Sequence, residues 1–367
     1  MIVITVLNIV VVFMSYLARF EKHRYLLAWA FVLLIFVLGI RYGYGNDFFN
    51  YKYFFEHGSY TTESEDPDPG WLLLNKLFKP FGFSTFVFFL TAIEHLMLYD
   101  LIRRYVTPQY YWLALFIYLF NPYFMLIGLS MMRQFLVQLL SFYAMELIYK
   151  RKWIHFLLIV IFSVSIHKVG LLLIPLAIIP FISKRTDSRK MLLSFVGIGL
   201  FLIFFITIKM DDIINILIEL FAESDMKYGD SYLDDLNEEY RINPKMILRY
   251  VLYILLLVRT IKYLPDSNSS KNFAVEVTFG VLFIPFATLV PMAIRASWIY
   301  SIVIIIALPL LLTKERNVVV KYVVILLFCI LLVRDYESHF ISDIYGKYYA
   351  NFHTIFSEYA IHGIPMY

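Results

Sequence analysis

The stretch YLLAWAFVLLIFVLGIRYGYGND, Tyr25 to Asp47, decides the fold. Residues 25–40 carry no charge, and at helical rise they reach about 24 Å, most of the way across a hydrocarbon core. The run lacks the period-two alternation of a barrel strand, and a segment in lipid must pair its own backbone groups, so it reads as a helix. Arg19, Lys22 and Arg24 precede it and mark its start as cytoplasmic by the positive-inside rule. The apolar run ends at Arg41, where Gly43 and Gly45 allow the backbone to turn tightly and Asn46 and Asp47 return it to a polar surface.

The same grammar repeats outward in both directions. The 367 residues are 61% hydrophobic and 16% charged, and the mean hydropathy is +0.72, well outside the range of soluble globular proteins. About twelve apolar runs follow one another, a count that fits a polytopic, all-α membrane protein. The expected spans are 1–18, 25–40, 83–102, 109–121, 133–149, 153–166, 169–182, 191–208, 246–262, 273–290, 297–313 and 318–333. Residues 1–18 lack a basic start and a small-residue cleavage site, so they read as a retained span rather than a signal peptide. Spans 109–121 and 169–182 are short and call for local thinning or re-entrance, and residues 71–79 read as a short interfacial helix.

Basic clusters at Arg103/Arg104, Lys150/Arg151/Lys152, Lys184/Arg185/Arg189/Lys190, Arg259/Lys262 and Lys314/Arg316 mark alternate span ends as cytoplasmic. Both termini and two long loops, 41–82 and 209–245, then face outward from a single integral membrane domain covering 1–367. The acids between Glu219 and Glu239 read either as a solvated loop or as a lid over an outward-facing cavity. The Tyr- and Phe-rich tail, 334–367, reads as an outer interfacial segment. No internal repeat relates the two halves. Cys329, the one cysteine, lies in an apolar run, which excludes a disulfide framework and a thiolate metal cluster. No basic domain points to nucleic acid.

Counting along each helix places the ionisable groups in depth. Arg41 lies about 25 Å from Arg24, Arg133 about 24 Å from Tyr149, His167 about 22 Å from Lys152 and Arg295 about 28 Å from Lys314. Four spans thus bring cations to one level near the outer leaflet, with Lys168 beside His167. A cation within a span costs about 2.5 to 3.5 kcal/mol at mid-helix, so the ring implies a polar cavity or an anionic partner, with snorkelling to headgroups as the alternative. Phosphate suits it, because the arginine fork holds phosphate oxygens bidentately and keeps its charge.

Asp47 stands where a carboxylate can take the proton of a sugar hydroxyl, or where it simply caps a helix. Asp68, in the turn before Pro69, adds a second acid near the same surface, although turn formation alone accounts for it. His167 reads as a base or a phosphate donor. Glu94 and Glu146 fall toward the cytoplasmic half. No metalloprotease, dinucleotide, phosphate-loop or Asp-pair motif is present, so neither a metal nor a cofactor is expected.

These motifs together resemble the EpsG family of bacterial polysaccharide polymerases, similar in role to the Wzy polymerases of O-antigen, capsule and exopolysaccharide synthesis. The resemblance rests on Arg41, Gly45 and Asp47 with Tyr51 after the second span, the acid-Pro-Gly-aromatic turn from Asp68 to Trp71, and Met132, Arg133 and Gln134 opening a span. Lys150, Arg151 and Lys152 follow that span, and Ser165, Ile166 and His167 close the next one. Arg295 with Tyr300 resembles the family's later arginine segment. The family usually carries Glu at Asp68 and a small polar residue at Lys168.

The resemblance implies an inverting, metal-independent glycosyltransferase of GT-C-like architecture in the bacterial inner membrane, active at the periplasmic or exterior face. Its donor and acceptor would be undecaprenyl-pyrophosphate-linked oligosaccharides, and a chain-length regulator and a flippase are the implied protein partners. Asp47, His167 and Arg133 are the expected catalytic residues, and Arg41, Tyr51, Asp68, Gln134, Lys168, Arg295 and Tyr300 the expected substrate contacts. Two other classes fit intramembrane cations. A lipid-linked oligosaccharide flippase would continue its polar groups across the bilayer, and a membrane O-acyltransferase would need a His reachable from the cytoplasm.

Overall fold

The computed structural model describes residues 1–59, 68–178, 298–341 and 346–358, with residues 180, 252 and 360. They form an all-α protein. In chain order the helices are α1 (Ile2–Leu17), α2 (Tyr25–Gly39), α3 (Phe48–His57), α4 (Pro69–Phe78), α5 (Phe83–Tyr105), α6 (Tyr111–Phe120) and α7 (Met125–Ser130). Then come α8 (Met132–Tyr149), α9 (Trp153–Ile166), a 3-10 segment (Lys168–Ile178), α10 (Ile304–Lys314), α11 (Val318–Ile341) and the single turn α12 (Gly346–Tyr349). Two short strands, β1 (Arg41–Tyr42) and β2 (His353–Thr354), pair antiparallel, with Arg41 opposite Thr354 and Tyr42 opposite His353.

The chain divides into two units, one of Met1–Ala144, Trp153–Leu171 and Ile304–Tyr367, the other of Met145–Lys152 and Leu172–Val303. In the first, α2 packs on α1 and α5, while α1, α10 and α11 pack on α6. Its helices are apolar on the outside as well as within. On α1, Ile2, Val6, Ile9 and Phe13 are exposed, whereas Asn8 and Ser15 are buried; on α9, Ile154, Leu157, Leu158 and Ile161 are exposed and Ser163 is buried. Water would drive those outer rows inward, and lipid does not. The buried polar groups tie helices together, as Asn8 does by donating through Nδ2 to the Leu119 carbonyl and to the Tyr336 hydroxyl, both at 3.2 Å.

Among the described residues two helices, Glu21–Gly39 and Phe83–Tyr105, are long and apolar enough to cross a bilayer; Ile2–Leu17, Trp153–Ile166, Lys168–Ile178 and Trp298–Lys314 are shorter apolar helices. The expected spans 191–208, 246–262 and 273–290, and the acidic loop between Glu219 and Glu239, lie outside the described residues. Segment 41–82, expected as an outer loop, carries α3 and α4, and α4 overlaps the anticipated interfacial helix at 71–79. α7 stands between two expected spans and prepares the entry into α8. α11 continues beyond residue 333 to Ile341, and the chain then returns through α12 to set β2 beside β1.

Candidate functional site

The site begins with two acids at helix starts. Asp47 occupies the N-cap position of α3 and Asp68 that of α4, yet neither side chain makes a capping bond. Pro69 at the first position of α4 removes one backbone donor that a cap would otherwise satisfy. The Asp68 carboxylate instead accepts a bond from Arg133, with Nη1 to Oδ2 at 2.8 Å. The pair is largely withdrawn from solvent, with 13% of the Arg133 side chain and 10% of the Asp68 side chain exposed.

Two aromatic rings complete this arrangement. Arg133 Cζ lies 5.7 Å from the ring centre of Tyr51 and 5.8 Å from that of Trp71, and the two rings meet edge-on at 5.5 Å. A guanidinium against aromatic faces in a desolvated place gains cation–π attraction of about 1 to 2 kcal/mol. Beneath it lies an aromatic core that includes Tyr42, Phe48, Phe54, Phe55, Phe83 and Phe86. Trp71 is wholly buried, and its indole Nε1 meets no hydrogen-bond acceptor. The helical spacing of three residues puts Trp71 on the same face of α4 as Asp68.

Gly70 sets α4 against α9. A Cβ there would collide with the Ser165 hydroxyl and come within 2.9 Å of the Ser165 carbonyl oxygen, so only glycine permits the approach. The contact brings the Asp68 end of α4 to the end of α9 from which His167 emerges. His167 Nδ1 accepts the backbone N–H of Val169 at 3.1 Å, so the neutral ring carries its proton on Nε2. Lys168, next along the chain, is exposed.

The Arg41–Asp47 loop approaches from the other side. Gly43 and Gly45 have φ of 66° and 108°, conformations that side chains disfavour. The Ser130 hydroxyl accepts the backbone N–H of Asp47 at 3.3 Å and donates to Asn46 Oδ1. Tyr44 is buried edge-on against Tyr349 and Phe352 at 5.2 and 5.3 Å, and burial raises its hydroxyl well above the ordinary phenol range, so it stays neutral. Tyr349 in turn donates to the Leu126 carbonyl at 2.9 Å, and the Tyr348 carbonyl accepts from Gly45 at 3.2 Å. The C-terminal segment is thus part of the loop's seat.

Arg41 faces inward. It is 1% exposed, and its Nη1 donates to the Leu38 carbonyl at 2.7 Å and to Thr91 Oγ1 at 2.8 Å, while Nη2 donates to the Leu129 carbonyl at 3.3 Å. The guanidinium expected at a ligand is engaged by the protein on three sides. Gln134 is also buried, and its amide has no partner among the described residues. Tyr300 belongs to the second unit, where its hydroxyl donates to the Leu172 carbonyl. Arg295 lies outside the described residues. Among the described residues no cluster of three or more His, Cys, Asp or Glu stands ready to hold a metal ion.

Of the expected residues, Arg133, Asp68 and Tyr51 come together directly, and Asp47 and His167 lie on segments that border them. Sequence reasoning did not assign roles to Trp71, Ser130, Asn46 or Tyr349. The i, i+3 spacing from Asp68 could have found Trp71; the others depend on contacts distant in sequence.

A family model described as the EpsG family matches residues 24–351 of this chain, a stretch that contains every element from the Arg41 loop to α12. No curated protein and no solved structure matches it. With the family model spanning most of the 367 residues, the chain belongs to the EpsG family, membrane proteins of polysaccharide biosynthesis.

Proposed function

We propose that this chain is a polysaccharide polymerase, a glycosyltransferase that moves a growing glycan from its undecaprenyl-pyrophosphate carrier onto an incoming lipid-linked repeat unit. In this reading it is a multi-pass protein of the bacterial inner membrane with about twelve spans and a GT-C-like architecture, the number anticipated from span length. Its site opens at the periplasmic or exterior face.

The observation that carries the proposal is Arg133, held by Asp68 between Tyr51 and Trp71 in the first turn of α8. A helix start already has positive potential from its unpaired N–H groups, and a cation added there is stable beside an anion. Lipid pyrophosphate is such an anion, and the flanking rings provide the apolar faces on which sugars stack. In the reaction the acceptor hydroxyl gives its proton to the Asp47 carboxylate while its oxygen attacks the anomeric carbon from the face opposite the carrier. The bond from that carbon to the pyrophosphate oxygen breaks, and its electron pair leaves with the lipid pyrophosphate, whose charge Arg133 stabilises. The anomeric configuration inverts. His167 offers an Nε2–H donor to a phosphate oxygen and Lys168 an adjacent charge. Arg41 keeps the Asp47 loop in place.

The test is the surface glycan of a deletion strain, resolved by size and complemented with wild type, Arg133→Ala or Asp47→Ala. Both variants are expected to yield single repeat units without a ladder. A full ladder from either variant overturns its assignment, and loss of even the single unit points to export or an earlier transferase.

A further inference from the structure

We infer that Ser130 is a positioning residue for Asp47, an inference that rests on the reading of Asp47 as the base. Ser130 is the last residue of α7 and fully buried. Its hydroxyl serves two consecutive residues of the loop at once, accepting the Asp47 N–H at 3.3 Å and donating to Asn46 Oδ1. The loop is also pressed onto Ser130 by its backbone. At Gly45, where φ is 108°, a Cβ would stand 2.9 Å from Ser130 Cα, a contact the main chain cannot yield to cheaply.

The anchor has its own support. The carbonyl of Leu129, one residue before Ser130, accepts Arg41 Nη2 at 3.3 Å, and Arg41 begins the loop that Asp47 ends. The end of α7 therefore grips both ends of residues 41–47. An aspartate has a short side chain with two torsions, so fixing its N–H and Cα confines the carboxylate to a small volume. An N-cap aspartate usually turns back onto its helix, yet Asp47 makes no such bond. With the backbone held by Ser130 rather than by the carboxylate, the carboxylate is kept for a proton. A base held this way contributes to turnover more than to substrate binding, because small displacements raise the barrier without loosening the lipid-linked substrate.

The experiment uses membranes from the deletion strain expressing wild type, Ser130→Ala, Asn46→Ala or Asp47→Ala. The probe is the lipid-linked repeat unit extracted from that same strain, and the rate is measured against its concentration. Ser130→Ala is expected to lower kcat on the order of tenfold with KM changed less than about twofold, and Asn46→Ala to do the same more mildly. Wild-type turnover in Ser130→Ala, or a raised KM at unchanged kcat, overturns the inference. If Ser130→Ala does not accumulate in membranes, the same split in Asn46→Ala decides. An active Asp47→Ala sinks the assignment of the base itself, whereas an inactive Asp47→Ala beside an unimpaired Ser130→Ala sinks only the positioning role.

Discussion

Arg133 and Asp68 meet across two helices through one bond of 2.8 Å from Nη1 to Oδ2, and both side chains are mostly shielded from solvent. A buried pair can be a structural pin or a charge held ready for a substrate, and substitution separates the two. A pin tolerates any pair of opposite charges, whereas a phosphate site requires the planar fork of arginine at its own position. Arg133→Lys is therefore expected to reduce polymer by on the order of tenfold or more, while Asp68→Glu, the residue usual in the family, retains the ladder. The readout is glycan length normalised to protein in the membrane. Full polymer from the exchanged pair, Asp68→Arg with Arg133→Asp, would make the pair purely structural.

Trp71 contributes its ring to Arg133 and its bulk to the core beneath, and these separate in the same way. Trp71→Phe keeps an aromatic face and loses the buried Nε1 donor; Trp71→Leu keeps only apolar volume. Phe is expected to preserve most of the polymer, and Leu to reduce it severalfold as about 1 to 2 kcal/mol of cation–π support disappears. Thermal unfolding in detergent checks that the two variants are comparably stable. Equal polymer in both variants would deny the ring any role toward Arg133.

The first half of the site was legible in the sequence because charge in an apolar chain is conspicuous. Arg133, Asp68 and Asp47 each interrupt or border a run where lipid tolerates few polar groups, so counting residues sufficed to bring them to one level. The same logic misled for Arg41, since depth alone does not distinguish a cation facing a cavity from one satisfied by Leu38, Thr91 and Leu129. Ser130 was invisible for the opposite reason: a serine at the end of a short helix resembles any other polar turn residue. Only the fold brings it to Asn46, more than eighty positions earlier. α3 and α11 escaped because Lys52 and Glu56, or Arg334, Asp335 and Glu337, dilute hydrophobicity without breaking a helix.

Arg41 gives a stability prediction. Arg41→Met fills much of the volume but leaves the Leu38 and Leu129 carbonyls without their side-chain donor. It also strips buried Glu94 of the opposite charge that interacts with it. Each buried group left unsatisfied costs about 1 to 3 kcal/mol, and more when charged. The variant is expected to unfold several degrees lower in detergent and to lose polymer in step with folded protein. Arg41→Lys, which keeps the charge without the fork, should fall between it and wild type. A variant that is fully stable yet inactive would instead return Arg41 to the substrate.

His167 permits the sharpest separation of roles, because its two nitrogens face different tasks. Nδ1 accepts the Val169 N–H at 3.1 Å and so shapes the turn after α9, while the neutral ring presents Nε2–H. Asparagine reproduces the position of the first nitrogen and glutamine that of the second. If the ring acts as a donor to phosphate, His167→Gln keeps part of the polymer and His167→Asn loses it. If the turn is what matters, the order reverses. A base at Nε2 would be served by neither amide, and both variants would then be equally inactive at normal membrane abundance. Ladder intensity across the three proteins therefore distinguishes donor, turn and base.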